Sequence, residues 1–290
     1  MKIGAIFPHT EISPTSKALC EYAIGIENAG LNQIVLYDHI LGAGLTSRPN
    51  FRGPFNNSHP FHEVFTTLAF MAAVTNRVVL STGVLVLPQR QTALAAKQSA
   101  QVDLLSEGRL RLGVGVGWNQ IEYEGQGVEF KSRGRRFEEQ VSIMKMLWTK
   151  SEIDVSSEFH SILDSGINPR PRQQPIPIWF GTRSAHLLDR VARLADGWIP
   201  FSNSASEVSK DWIDLQGLLK HYKRGDNFGL EGHLILREYP KSEWQNQINA
   251  WQLIGATDLC IATTGLGLGS DAAAHVELLE EVFDNNQTHN

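Results

Sequence analysis

Apolar segments typical of β-strands alternate with segments of helical periodicity along the whole chain, and this alternation restricts the fold more than any other feature. The predicted strands cover residues 3–7, 33–37, 78–85, 110–116, 176–180, 197–200, 233–237 and 257–262. A predicted helix follows each of them. Strict alternation implies parallel strands joined by right-handed crossovers. Eight such units in 290 residues fit an α/β fold of the (β/α)8 TIM-barrel type. The alternative, a six-stranded doubly wound sheet, leaves two units unexplained.

We interpret residues 1–290 as a single domain, in which two segments interrupt the alternation of strands and helices. Residues 40–60 are rich in Gly, Asn and Pro and form a long loop after the second strand. Loops that follow strands meet at the C-terminal face of a barrel, where the chemistry takes place. Segment 40–60 is therefore a candidate lid, or else only a long connection. Segment 151–175 is a second, irregular insertion, in which residues 156–163 could form a small hairpin or an edge strand.

Charge and hydropathy exclude several classes of function. The formal net charge is −5, which provides no basic surface for nucleic acid or for an anionic membrane. The longest uncharged apolar runs, such as residues 68–74, are far shorter than the ~20 residues that span a bilayer. We therefore expect no nucleic-acid or membrane partner, and a cytoplasmic location. His59 and His62 lack the spacing of a zinc site, so no metal is expected.

The strongest candidate for acid–base chemistry is the pair Asp38–His39, at the end of the second strand. A histidine can donate or accept a proton near neutral pH, and a neighbouring carboxylate can tune it. Adjacent residues of a strand point to opposite faces, so Asp38 could instead anchor the loop. His9, at the end of the first strand, could contact a substrate or be a satisfied loop residue.

Two glycine-containing segments also lie at predicted strand ends. Residues 113–117 do not match the dinucleotide fingerprint G-x-G-x-x-G, because Trp118 and Gln120 occupy the places of its third glycine. These glycines would allow either a flat ring or a neighbouring strand to approach the backbone closely. Residues 181–184, with the sequence GTRS, lie between a strand and a helix and are suited to phosphate binding. The alternative is that Thr182 or Ser184 merely caps the helix. Trp148, Trp179 and Trp198 are predicted to pack in the core.

Four motifs together resemble the luciferase-like monooxygenase superfamily of flavin- and deazaflavin-dependent barrels. They are NRVVLSTGVLVLP at 76–88, LLSEGRLRLGVGVGW at 104–118, PIPIWFG at 175–181 and ARLADGW at 192–198. The resemblance extends from residue 2 to about residue 265 and is densest between 76 and 200. The branch that the chain most resembles uses the deazaflavin coenzyme F420.

This resemblance implies a role for each candidate residue. His39 would be the active-site acid or base, and Asp38 would lie beside the cofactor. A non-prolyl cis peptide, here Gly83–Val84, would support the ring. The ring would lie near Gly117 and Trp118, and the turn of Gly181, Thr182, Arg183 and Ser184 would hold the cofactor phosphate. Some relatives have a glutamate where this chain has Trp118, and Glu122 is a candidate substitute. The resemblance also implies a homodimer.

Together with the candidate residues, the resemblance implies an oxidoreductase that transfers a hydride between coenzyme F420 and a small organic substrate. His39 would supply or remove the accompanying proton, while loop 40–60 and Trp118 would shape the pocket and exclude water. The first alternative is an FMN-dependent monooxygenase that receives reduced flavin from a separate reductase and activates oxygen. The second is a non-catalytic barrel that binds flavin.

Overall fold

Eight parallel strands form a closed barrel in the computed structural model, which describes residues 1–225 and 227–288. Around the barrel the strands follow the order β1, β2, β3, β5, β8, β9, β10 and β11, and β11 pairs with β1 again. The strands are β1 Lys2–Ile6, β2 Gln33–Leu36, β3 Val79–Thr82, β4 Leu85–Val86, β5 Leu110–Gly115, β6 Ile153–Ser156, β7 Ser161–Ser165, β8 Ile178–Gly181, β9 Gly197–Ile199, β10 Gly229–Ile235 and β11 Asp258–Ala262. The predicted (β/α)8 barrel is confirmed.

Helices surround the barrel and follow its strands in chain order. Their bounds are α1 Ser16–Asn28, α2 Val64–Val74, α3 Thr92–Leu105, α4 Gln120–Gly125, α5 Arg133–Thr149, α6 Leu188–Leu194, α7 Ala205–His221, α8 Trp244–Leu253 and α9 Ala272–Thr288. The three tryptophans predicted for the core are at most 8% exposed: Trp148 and Trp198 lie in the apolar layer between helices and strands, whereas Trp179 packs on Arg111 inside the barrel. None of the described helices is both long and apolar enough to cross a membrane.

The structure departs from the predicted elements at three places. The predicted strand 233–237 begins and ends earlier, because β10 covers Gly229–Ile235 and a 3-10 turn follows at Leu236–Glu238. The predicted strand 78–85 is broken, because β3 ends at Thr82 and the peptide bond Gly83–Val84 is cis, as the resemblance implies. The chain then continues as β4, which pairs with β5. Helix α4 was not predicted. It has six residues, too few for an apolar period to be recognised, and Asn119 caps it by accepting the N–H of Ile121.

The N-terminal half of the barrel interior contains buried charges rather than apolar side chains alone. The guanidinium of Arg111 pairs with Glu231 and, at 3.1 Å, with Asp258. It also lies 4.0 Å from the ring centroid of Trp179. His233 contacts the other oxygen of Glu231 at 3.0 Å. Because each charge has a partner, this network can be buried without leaving an isolated ion.

We expect this interior to make the stability of the protein depend on pH. Burial and the nearby Arg111 lower the pKa of His233 from 6.5 to about 4. Between pH 4 and pH 6.5 the side chain of His233 is therefore protonated in the unfolded chain and neutral in the folded protein. The free energy of unfolding therefore falls as the pH drops below 6.5, by at most about 1.4 kcal/mol per pH unit for this residue. We expect His233→Gln to flatten this slope, measured by urea unfolding at several pH values from 4 to 8.

The matched control is His186→Gln, which changes an exposed histidine and should leave the slope as it is in the parent protein. An unchanged slope in His233→Gln would contradict the assignment.

Candidate active site

A cavity of about 490 Å³ opens at the C-terminal ends of the barrel strands. Its volume lies within the range of roughly 300–1,000 Å³ that is usual for ligand pockets. The lining residues come from the ends of β2, β3, β5, β8 and β9 and from loop 40–60. They are Tyr37, Asp38, His39, Pro54, Phe55, Gly83, Val84, Val86, Gly115, Val116, Gly117, Trp118, Gly181, Thr182, Arg183 and Phe201. Every residue predicted from the sequence to bind cofactor or to act in catalysis lines this cavity except Ser184.

The imidazole of His39 contacts the carboxylate of Glu122, which the sequence analysis named only as a candidate substitute. Nδ1 of His39 lies 2.8 Å from Oε1 of Glu122, and the other carboxylate oxygen accepts a hydrogen bond from Gln89 at 3.1 Å. Glu122 is 1% exposed and comes from α4. A carboxylate at Nδ1 keeps the proton of a neutral imidazole there, which leaves Nε2 as the basic nitrogen. The described residues give Nε2 no hydrogen-bond partner, and the ring faces the cavity.

Asp38 anchors the loop after β3 as well as lining the cavity. One of its oxygens accepts the N–H of Val86 at 3.0 Å, and the other is 2.7 Å from Nη2 of Arg90. Arg90 also reaches Glu63 at 3.4 Å. Because the Asp38 carboxylate is buried and already paired with a guanidinium, it is suited to fixing the β3–β4 turn. His39 then remains the group at this strand end that is available for proton transfer.

The glycines at the ends of β5 and β8, Gly115 and Gly181, together with Gly117, allow the side chains of Val84 and Val86 to approach closely. A Cβ atom on Gly115 would lie 2.6 Å from Cγ2 of Val84, and one on Gly117 would lie 2.5 Å from Cγ1 of Val86. A Cβ atom on Gly181 would lie 2.7 Å from Cγ1 of Val84. The structure thus shows the close approach of a neighbouring segment to residues 113–117, and Gly115 and Gly117 also line the cavity. The two valines form an apolar floor for the cavity.

The turn at 181–184 lies at the rim of the cavity, and two of its backbone N–H groups already donate hydrogen bonds to other atoms of the protein. The N–H of Ser184 donates to the hydroxyl of Thr182 at 3.1 Å, and the N–H of Thr182 donates to the carbonyl oxygen of Ile199 at 3.0 Å. The side chain of Ser184 makes no capping hydrogen bond. Arg183 is 69% exposed and lies 3.9 Å from Glu207. Its guanidinium is therefore loosely held and able to turn toward an anion.

Aromatic side chains of loop 40–60 and its flank cover His39. The ring centroids of Phe55 and Phe61 lie 4.8 and 4.9 Å from that of His39. Phe51 stacks against Trp118 with a centroid distance of 6.3 Å, and Trp118 is itself 6.2 Å from His39. These contacts place apolar groups between His39 and solvent, so that a proton held on this histidine would be partly shielded from water.

The sequence matches the family model of luciferase-like monooxygenases over residues 1–278. The chain belongs to the luciferase-like monooxygenase family. Members of this family are enzymes, so the expected enzymatic nature of the protein is confirmed. Among the residues described in the structure, no three His, Cys, Asp or Glu side chains are grouped so as to hold a metal ion.

Individual relatives found by sequence match only part of this chain. An uncharacterised protein of Mycobacterium tuberculosis is 36% identical over 162 residues, which are 56% of each chain. An F420-dependent glucose-6-phosphate dehydrogenase of Amycolatopsis mediterranei is 30% identical over 218 residues, 73% of this chain and 60% of the relative. The chain thus matches little more than half the length of these curated relatives. A solved F420-dependent secondary alcohol dehydrogenase with an F420–acetone adduct superposes with a TM-score of 0.79 at 13% identity, covering 98% of both chains, which supports the fold.

Proposed function

We propose that this protein is an oxidoreductase that transfers a hydride between coenzyme F420 and a small organic substrate, with His39 as its acid–base residue. The observation that supports this most strongly is the His39–Glu122 pair, which leaves Nε2 of His39 available in a cavity at the barrel's C-terminal face. A relative of known activity, the Amycolatopsis mediterranei enzyme, is F420-dependent.

The residues of the cavity fit a deazaflavin. Val84 and Val86 provide an apolar floor for a flat ring, and Trp118 provides an aromatic side wall. Arg183 and Thr182 at the rim offer a cation and a hydroxyl to the phosphate of the cofactor. When bound, the deazaflavin would donate or accept the hydride.

The protein's own groups would control the accompanying proton. Glu122 orients His39 and stabilises its protonated form, as carboxylates do in other histidine–carboxylate pairs. Nε2 would then deliver a proton to the substrate oxygen or remove one from it, depending on the direction of the reaction. Loop 40–60 would act as a lid, because Phe55 and Phe51 close over His39 and Trp118.

Cofactor preference tests the proposal directly. The purified protein is titrated with F420 and, separately, with FMN, while tryptophan fluorescence is recorded. We expect saturable quenching with F420, at least tenfold tighter than with FMN, and a much smaller signal in Trp118→Phe because Trp118 lines the cavity. The control is Trp212→Phe, which changes a tryptophan of α7 remote from the cavity and should leave the quenching by F420 intact. Preference for FMN together with oxygen-dependent turnover, or binding of neither cofactor, would overturn the proposal.

A further inference from the structure

A second, smaller cavity of about 210 Å³ lies beside the first at the same face of the barrel. It is formed by the ends of β1, β10 and β11, and Tyr37, Pro54 and Phe55 line both cavities. The aromatic rings of Phe55 and Phe61, which line the second cavity, are also the rings in contact with His39. The two cavities are therefore neighbours, and the rings of Phe55 and Phe61 lie between the second cavity and His39, which lines only the first.

His9 presents a hydrogen-bond donor that the described residues do not satisfy. Its Nε2 accepts the backbone N–H of Tyr37 at 3.0 Å, so the proton of the neutral ring is on Nδ1. Nδ1 is buried and has no hydrogen-bond partner among the described residues, although His62 packs nearby with a centroid distance of 6.2 Å. Burial and the neighbouring His62 and His39 lower the pKa of His9 to about 3, so the ring adds no charge near neutral pH.

Arg237 is an exposed side chain that lines the cavity and supplies it with a cation. Its side chain lies against the backbone of Gly265, where a Cβ atom would be 2.5 Å from Cδ of Arg237. Within the described residues, no carboxylate oxygen lies within 4.0 Å of its guanidinium. The nearby carboxylate of Glu11 instead accepts the N–H of Gly265 at 2.7 Å and lies 3.6 Å from His275. By contrast, Arg90 and Arg111 are both paired with carboxylates.

We propose that this second cavity binds the carboxylate of a small organic substrate that is a monoanion. Arg237 would pair with the carboxylate, and Nδ1–H of His9 and the hydroxyl of Thr264 would donate to its oxygens. The apolar body would lie against Phe55 and Phe61, with the reacting carbon toward the first cavity, past Tyr37 and Pro54, which line both cavities. This inference rests on the proposed function and narrows its substrate class to small carboxylic acids.

The charge and size of the cavity support a carboxylate over a phosphate ester. One guanidinium balances one negative charge, and its planar donors match a planar carboxylate in a bidentate geometry. A phosphate dianion would keep an excess negative charge in a pocket lined by Phe7, Phe55 and Phe61. The volume is below the roughly 300 Å³ at which ordinary ligand pockets begin. The occupant is therefore a short chain or a single ring.

Binding of simple probes to the protein without cofactor tests this proposal separately from hydride transfer. Benzoate and butyrate are titrated by calorimetry, with benzyl alcohol as the neutral analogue and inorganic phosphate as the competing anion. We expect saturable binding of a carboxylate, at least tenfold weaker binding of benzyl alcohol, and no displacement by equimolar phosphate. Arg237→Met should weaken carboxylate binding at least tenfold, and Arg237→Lys should restore part of the loss. The control is Arg172→Met, which removes an exposed arginine beside Gly108 at the opposite end of the barrel.

The outcomes separate the two proposals. F420 quenching in Arg237→Met should match the parent protein, which shows that the variant folds and binds cofactor. Equal carboxylate affinity in Arg237→Met, equal affinity for benzyl alcohol, tighter binding of phosphate, or no carboxylate binding at millimolar concentrations would each overturn the carboxylate site. Failure of F420 binding in the parent protein would instead overturn the proposed function.

Discussion

His39→Ala is expected to lower kcat by about 10²- to 10⁴-fold, the usual contribution of a positioned acid–base residue. The affinity for F420 should stay within about threefold of the parent value, because the cavity's floor and its rim at Arg183 do not depend on the imidazole. Steady-state turnover with F420 and the fluorescence titration measure the two quantities independently. A variant that retains both turnover and affinity would remove His39 from the mechanism.

Glu122→Gln distinguishes an orienting carboxylate from a merely structural one in the same experiment. The amide can still contact Nδ1 of His39, now 2.8 Å from Oε1 of Glu122, but it no longer stabilises the imidazolium. We expect kcat to fall, whereas the same change made in His39→Ala should have almost no further effect. Equal losses in both backgrounds would mean that Glu122 acts independently of His39. His221→Ala, an exposed histidine at the end of α7, serves as the control.

Gly113→Ala is expected to destabilise the fold by about 3 kcal/mol or more, or to prevent soluble expression. A Cβ atom at this position would lie 2.0 Å from the carbonyl oxygen of Thr82 and 3.2 Å from Cδ1 of Ile199. The first of these atoms belongs to the backbone of β3, so relief requires two barrel strands to separate. Thr82 also donates its hydroxyl to the carbonyl of Gly113 at 2.6 Å, and this hydrogen bond would be strained as well.

Urea unfolding measures this effect, and Gly217→Ala is the matched control. Gly217 lies within α7, and a Cβ atom there would meet no atom within 4 Å. Since alanine stabilises a helix interior relative to glycine, this variant should gain about 0.5–1 kcal/mol. If Gly113→Ala were as stable as the parent protein, the close approach of β3 and β5 would not be a requirement of the barrel.

The sequence predicted those features that depend on neighbours along the chain. Strand and helix periods are local, so the alternation was sufficient to predict eight βα units and, through the handedness of crossovers, the barrel. The position of His39 at the end of β2 followed directly, because strand ends define the functional face. The break between β3 and β4 was visible only as the implied cis peptide at Gly83–Val84.

Contacts between distant residues were decided by the tertiary structure. His39 and Glu122 are 83 positions apart, and their 2.8 Å contact depends on where the short helix α4 packs after β5. A helix of less than two turns has too few residues for its apolar period to be recognised, which is why Glu122 remained only a candidate. Likewise, His9 and Arg237 share a cavity because β11 closes the barrel between β1 and β10. Local residue patterns determine which elements form, whereas closure of the barrel determines which of their ends meet.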